Sequence, residues 1–392
     1  MQMNFDQLFE RRNTHSSKWD KMEESYGISK DEGLPMHVAE MDFRPPKEIQ
    51  NKLQELNQHG FYGYFADFTE YENSIKWWMK TRHNWDIEKS KIFATHGLVN
   101  GMALCVDAFT KPEDEIIMFT PMYHAFFYVL NATDRKIKEF PLLLEDGKYR
   151  MNFTNYKKQL SGKETMLIFC SPHNPGGRVW SPSELNEVAA FCEENELLLV
   201  SDEIHHDLIM PGSTHTVMPI AAPQISDRLI MLTANTKTFN VAGIHTGNVI
   251  ISNTKLAAIF ENRMKSLGLG PNALGIHLAT AGYSEGAAVW LDNLITYLAE
   301  NFRIFNSGID SIPGCKVMPS EGTYLAWVDF SGTGMSRDEF TSRIEKGAKI
   351  TTVYGSKMGQ GGETFMRFNI ATPKSRIIEA VERMQKAFKD FQ

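Results

Sequence analysis

Between residues 45 and 285 the chain repeatedly produces short apolar runs that do not alternate. Glu115–Thr120, Met166–Cys170, Leu197–Ser201, Leu229–Thr233 and Asn248–Ser252 are the clearest. A strand with one wet face shows a period of two, so continuous runs predict strands buried on both faces. Amphipathic stretches separate them. One opens at Ser183, after the entry turn Ser181-Pro182, and keeps Leu185, Val188, Ala189 and Cys192 on one side. Strands alternating with helices predict an α/β fold built on a mostly parallel sheet.

Beyond residue 285 the pattern changes. Trp290–Phe305 reads as one long amphipathic helix, followed by Pro313-Gly314, a strand at Thr323–Phe330, a helix near Arg337–Lys346, a strand at Thr364–Ile370 and a helix over Lys374–Phe388. This is an α+β pattern. It predicts a polar, aromatic-rich N-terminal segment (1–44) packing with a smaller C-terminal domain (286–392), and a large domain over 45–285. A length of 392 residues suits two or three domains.

Composition excludes several function classes. The net charge of −7 argues against nucleic acid or an anionic membrane as the main partner. No run approaches the ~18 apolar residues of a membrane helix. Cys105, Cys170, Cys192 and Cys315 have no metal-ligand spacing and read as reduced thiols. Met1–Arg12 contains Asp6 and Glu10 and no signal-peptide core. The expectation is a cytoplasmic protein without a bound metal.

Four segments carry chemistry: Ser171-Pro172-His173-Asn174-Pro175-Gly176-Gly177, Ser201-Asp202-Glu203-Ile204-His205, Thr233-Ala234-Asn235-Thr236-Lys237-Thr238-Phe239-Asn240 and Phe365-Met366-Arg367-Phe368-Asn369. The first three follow or end predicted buried strands, and ligands bind beyond the carboxyl ends of strands in open α/β sheets. Asp202 at a strand mouth needs a cationic partner, such as a protonated pyridine nitrogen, or else caps a helix. Lys237 can serve as an imine-forming amine if it is desolvated; the alternative is a solvated loop lysine. Thr233, Asn235 and Thr236 supply small donors suited to phosphate, or simply make a turn. Asn174 either donates to a ligand oxygen or serves its own turn. Arg367, among aromatics on a strand, suits bidentate capture of a carboxylate or a structural ion pair. The amides after Gly97, at Leu98 and Val99, are free donors at a helix N-terminus. Tyr123 can stack on a flat ring or pack in the core. Tyr64 sits in an aromatic run, Phe-Tyr-Gly-Tyr-Phe.

Taken together, this order of motifs resembles fold-type I pyridoxal 5′-phosphate (PLP) enzymes, the class I and II aminotransferase superfamily. Lys18-Trp19-Asp20, the run Leu34 to Phe43, Tyr123-His124-Ala125-Phe126-Phe127, Ser201-Asp202-Glu203-Ile204-His205, Lys237 to Gly243 and Glu321-Gly322-Thr323-Tyr324-Leu325 look most like its MalY/PatB-type cystathionine β-lyase branch. The resemblance implies that Lys237 is the Schiff-base lysine and α-proton base, that Asp202 pairs with the pyridine nitrogen, and that Asn174, with His205 nearby, binds the phenolic oxygen. It further implies that Tyr123 stacks on the ring, that Leu98, Val99, Thr233 and Thr236 surround the phosphate, and that Arg367 holds the substrate carboxylate. Tyr64 matches a tyrosine that reaches the phosphate of the other subunit, which implies a homodimer.

Departures narrow the branch. Aminotransferases usually place an arginine eight residues after the lysine, where this chain has His245, and a tyrosine where it has His205. The implied activity is carbon–sulfur β-elimination from L-cystathionine or a related cysteine conjugate, giving a thiol, pyruvate and ammonia. An aminotransferase, or a regulator acting mainly through protein contacts, are the alternatives the resemblance leaves.

Overall fold

The computed structural model describes residues 3–390. Its largest sheet has seven strands: β1 (Lys91–Thr95), β2 (Glu115–Thr120), β3 (Lys136–Pro141), β4 (Glu164–Cys170), β5 (Leu198–Asp202), β6 (Leu229–Thr233) and β7 (Gly247–Ile251), in the order β1-β7-β6-β5-β4-β2-β3. Neighbours pair in parallel except β7, which runs antiparallel to both β1 and β6. The expected mostly parallel α/β sheet is therefore present. Every residue of β6 and β7 is buried, as unbroken apolar runs require.

The two strands without a sequence expectation, β1 and β3, are the edges. Lys91, Lys136, Lys138 and Glu139 interrupt their apolar residues, and charge on an edge strand discourages pairing with another chain. Polar edges of this kind do not stand out as buried strands.

Helices pack against the sheet. The major ones are α1 (Lys47–His59), α2 (Thr69–His83), α3 (Leu98–Phe109), α4 (His124–Ala132), α5 (Pro182–Glu194), α6 (Thr254–Ser266), α7 (Ala273–Gly282), α8 (Glu285–Asp310) and α9 (Lys374–Ala387). Ser181, rather than Ser183, caps α5. Its hydroxyl accepts from the Glu184 N–H while the Glu184 carboxylate accepts from the Ser181 N–H, a reciprocal capping box. Helix α8 extends beyond both ends of the expected Trp290–Phe305 span and buries Trp290, Leu291, Leu294, Leu298, Phe302 and Phe305.

A second sheet of four antiparallel strands, β8 (Lys316–Val317), β9 (Leu325–Asp329), β10 (Val353–Tyr354) and β11 (Phe365–Asn369), runs in the order β8-β9-β11-β10. Near the N-terminus, Leu34-Pro35 pairs in parallel with Ile350-Thr351. The backbone that follows, residues 37–43, is held by Asn369 on β11 and by Asn240 in the loop after β6. Asn369 Nδ2 donates to the carbonyls of Val38 (2.7 Å) and Glu40 (2.6 Å), and Asn240 Nδ2 donates to those of Met41 (3.0 Å) and Phe43 (2.7 Å). This segment forms one wall of the site. Among the described residues no helix is long and apolar enough to cross a membrane.

Candidate active site

Strands β4, β5 and β6 are adjacent and parallel, so the loops after their carboxyl ends emerge side by side. They meet the N-terminus of α3 and the 37–43 segment around a cavity of about 230 Å³. Eight of the residues singled out from the sequence line it: Leu98, Val99, Tyr123, Asn174, Asp202, His205, Thr236 and Lys237.

Asp202 is the last residue of β5 and nearly inaccessible. It accepts the Ile204 N–H at 3.1 Å, and no cation lies within ion-pair range of it among the described residues. Burial pushes its carboxyl up to about 7, against the weaker pull of that N–H. Lys237 Nζ donates to the Ala39 carbonyl at 2.6 Å and likewise lacks a carboxylate in ion-pair range. Burial, with the Arg367 charge adding to it, brings its amine down to about 8. The cavity thus holds an under-compensated acid and an amine of lowered basicity, the pairing expected where proton transfer is organised.

Arg367 is buried on β11. Nη1 donates to Asn174 Oδ1 (2.9 Å), Nη2 donates to the His37 carbonyl (3.1 Å), and Nε has no partner. No carboxylate lies within 4 Å of this guanidinium among the described residues, so it is a buried cation still lacking an anion. Asn174 Oδ1 is committed to Arg367, which leaves its Nδ2 free to donate into the cavity. His205 is buried with Nδ1 unpartnered, its ring edge-on to Tyr324 at 5.9 Å. Burial drives its pKa well below the usual histidine value, so the ring is neutral.

Gly97 precedes α3 at φ +87°, a backbone angle that disfavours any side chain. The turn aims the first amides of α3 at the cavity, and these have no intrahelical acceptor. Val99 is 40% exposed and lines the cavity beside Leu98. Thr236 lines the cavity as well.

Two expected residues lie elsewhere. Thr233 is fully buried on β6, and its hydroxyl accepts from Asn248 Nδ2 (3.2 Å), the residue opposite it on β7. Alternation along the strand turns Thr233 away from the loop that carries Thr236, so it belongs to the sheet interior and not to the cavity wall. Tyr64 is fully exposed, beside exposed Phe61 and Tyr62, and away from this chain's own cavity.

The structure also adds residues. The Ala39 carbonyl accepts from both Lys237 and Tyr324 (2.9 Å), and His245 and Thr246 line the cavity near Leu98. The runs Leu34–Phe43 and Glu321–Leu325 had drawn notice as sequence, but a backbone carbonyl carries no residue-type signal. His245 had been noted only as a departure.

Comparison with known proteins bears on this geometry. Residues 32–384 match the family model for aminotransferase class I and II. The chain is 36% identical over 388 residues, covering 98% of it and 100% of the relative, to cystathionine beta-lyase PatB of Bacillus subtilis. Cystalysin from Treponema denticola, solved with pyridoxal 5′-phosphate, superposes with a TM-score of 0.94 at 37% identity over all of both chains. The PLP-bound C–S lyase from Staphylococcus hominis gives a TM-score of 0.91 at 28% identity, over 99% of this chain and 98% of that one.

Proposed function

The chain belongs to the class I and II aminotransferase family of PLP-dependent enzymes, and on that premise we propose that it is a carbon–sulfur β-lyase. Its substrate class is L-cystathionine and related cysteine S-conjugates. The observation that carries the reading is the convergence of Lys237, Asp202 and the Asn174–Arg367 pair on one cavity.

The residues present fit the cofactor. A buried carboxylate without a cation suits a ring nitrogen, free amides at Leu98 and Val99 with the Thr236 hydroxyl suit a phosphate, and Asn174 Nδ2 suits a phenolic oxygen. Tyr123 lines the cavity where a ring can stack. Lys237 offers the amine for covalent attachment. When bound, PLP supplies an electron-withdrawing ring that stabilises negative charge at a substrate α-carbon.

The chain's own residues do the rest. Arg367 completes its charge by holding the substrate α-carboxylate, with Asn174 fixing the plane of the guanidinium. Lys237 Nζ takes the proton from the substrate α-carbon. Asp202 would pair with the ring nitrogen of the bound cofactor and favour its protonated form. The Cβ–S bond breaks with its electron pair leaving on sulfur, and water consumption releases pyruvate and ammonia. Neutral His205 keeps a second cation out of the interior.

We take the working unit to be a cytoplasmic homodimer, in which the exposed Tyr64 reaches the phosphate site of a second copy. The segment 1–44 and the smaller unit from 286 are read as one wall, and the large unit 45–285 as the other.

Incubating purified holoenzyme with L-cystathionine, and separately with amino acids plus 2-oxoglutarate, tests the reaction. Thiol and pyruvate should appear together in the first mixture. Keto-acid-dependent amino transfer without thiol release overturns the lyase reading.

A further inference from the structure

Behind the catalytic loops lies a second cluster of ionisable groups that the proposed reaction does not use. His83 ends α2, while His206 and Asp207 follow β5 just past His205. Their candidate ligand atoms all lie within 4.8 Å of one another. His83 Nε2 stands 2.8 Å from Asp207 Oδ1, and His206 Nε2 stands 3.4 Å from Asp207 Oδ2. Tetrahedral bonds of about 2.0–2.1 Å put neighbouring ligand atoms roughly 3.3 Å apart, so a set now spanning up to 4.8 Å would close by about 1.5 Å around an ion.

The hydrogen bonding leaves one contact unexplained. His206 Nδ1 is bonded to the Glu203 carbonyl, which places the ring proton on that nitrogen. Nε2 then presents a lone pair. It is completely buried, has no hydrogen-bond partner, and faces a carboxylate oxygen that is also an acceptor. Two acceptors in van der Waals contact repel unless a cation lies between them. A structural histidine would instead satisfy this nitrogen with a donor.

The carboxylate is also held in the manner of a metal ligand. Trp78 Nε1 donates to Asp207 Oδ1 (2.9 Å) and Thr238 Oγ1 donates to Oδ2 (2.8 Å), fixing its plane. An open cavity of about 300 Å³ lined by His83, His206, Asp207 and His215 offers a way in. His215 itself is committed to Glu203 through Nε2 (2.9 Å) and stands outside the group.

We infer that His83, His206 and Asp207 form a binding site for a divalent transition-metal ion of the Zn²⁺ type, separate from the catalytic cavity. Imidazole nitrogens with a carboxylate suit such an ion, and three protein ligands leave a fourth position for water. On binding, His83 shifts its proton from Nε2 to Nδ1 and gives the freed lone pair to the metal. The ion would brace the loops after β5 and β6 against α2.

Zn²⁺ alone is the probe, applied to intact holoenzyme by equilibrium dialysis with metal analysis. One ion per chain is expected, with a raised Tm, and Co²⁺ in its place should give visible ligand-field bands apart from the cofactor absorbance. His206→Ala should weaken binding by roughly 10–100-fold or more, the loss seen even when a group merely supporting a ligand is removed. His83→Gln keeps a donor toward Asp207, and so is expected to fold, but should lose the ion. His59→Ala, at an exposed surface histidine, should bind as wild type. Absence of stoichiometric binding, or binding unchanged in both His206→Ala and folded His83→Gln, overturns the site.

Discussion

Arg367 reaches across the cavity to Asn174, Nη1 to Oδ1 at 2.9 Å, joining a strand of the small sheet to the loop after β4 of the large one. The guanidinium is buried and has no carboxylate among the described residues, so its position makes sense once a substrate carboxylate completes it. Arg367→Ala should raise KM for amino-acid substrates by an amount corresponding to about 1.5–3 kcal/mol, the value of a hydrogen bond to a charged group. Arg367→Lys should recover little of this, because an ammonium cannot reproduce the planar fork. Steady-state kinetics on both variants checks it, and an unchanged KM removes Arg367 from substrate binding.

Lys237→Ala should retain the cofactor only non-covalently and lose β-elimination. Borohydride reduction followed by intact mass measurement should label the wild type and leave the variant unlabelled. Full residual turnover would refute the lysine's role.

Attachment of the cofactor needs the unprotonated amine. Because Lys237 is lowered from 10.5 to about 8, the rate of covalent PLP capture by cofactor-free protein should climb as pH rises through about 8 and then level off. Stopped-flow absorbance across that range tests the point; a midpoint near the ordinary lysine value would show that the amine is not desolvated.

Asp202 predicts an opposite trend in stability. The folded, cofactor-free chain holds a proton at pH values between 3.8 and about 7 that the unfolded chain has already lost. Native protein therefore binds more protons in that window, so this contribution is fully present below about 4 and is lost as pH rises through 7. Thermal melts at about pH 5 and pH 7 should show a larger fall for wild type than for Asp202→Asn.

Asn369→Ala removes the two bonds its Nδ2 donates to the Val38 and Glu40 carbonyls, on either side of the carbonyl that meets Lys237, and the one its Oδ1 accepts from the Ala371 N–H. The expected cost is roughly 1–3 kcal/mol, set mainly by the buried Ala371 N–H left without its acceptor, since the Val38 and Glu40 carbonyls keep the Glu40 N–H and Lys18 Nζ as donors. It should appear as a lowered Tm with a weakened hold on the cofactor. A variant with wild-type Tm would show that water replaces these bonds.

The central strands β4, β5 and β6 were legible because burial on both faces leaves unbroken apolar runs. Asp202, Asn174 and Lys237 were legible because Asp202 ends β5 and the other two lie four residues beyond the ends of β4 and β6. The edges β1 and β3 were not, since charge breaks their pattern. Thr233 reads with Thr236 as a phosphate donor in sequence, while in the structure its hydroxyl accepts from Asn248 Nδ2 within the sheet. Ala39 could not be found from residue type, because its contribution is a carbonyl. The Asp207 cluster escaped for another reason. His83 is 124 residues from Asp207, and only the docking of α2 brings the two together.

Strand β1 is held in the large sheet by β7 alone, and that partner is synthesised roughly 150 residues later. The turn at Gly97 and the amides of Leu98 and Val99 follow β1 directly. A growing chain can therefore pair β2 to β6 before β1 has a strand to pair with. The strand that leads into the Gly97 turn thus takes its place in the sheet only from an antiparallel partner made after every other strand of that sheet.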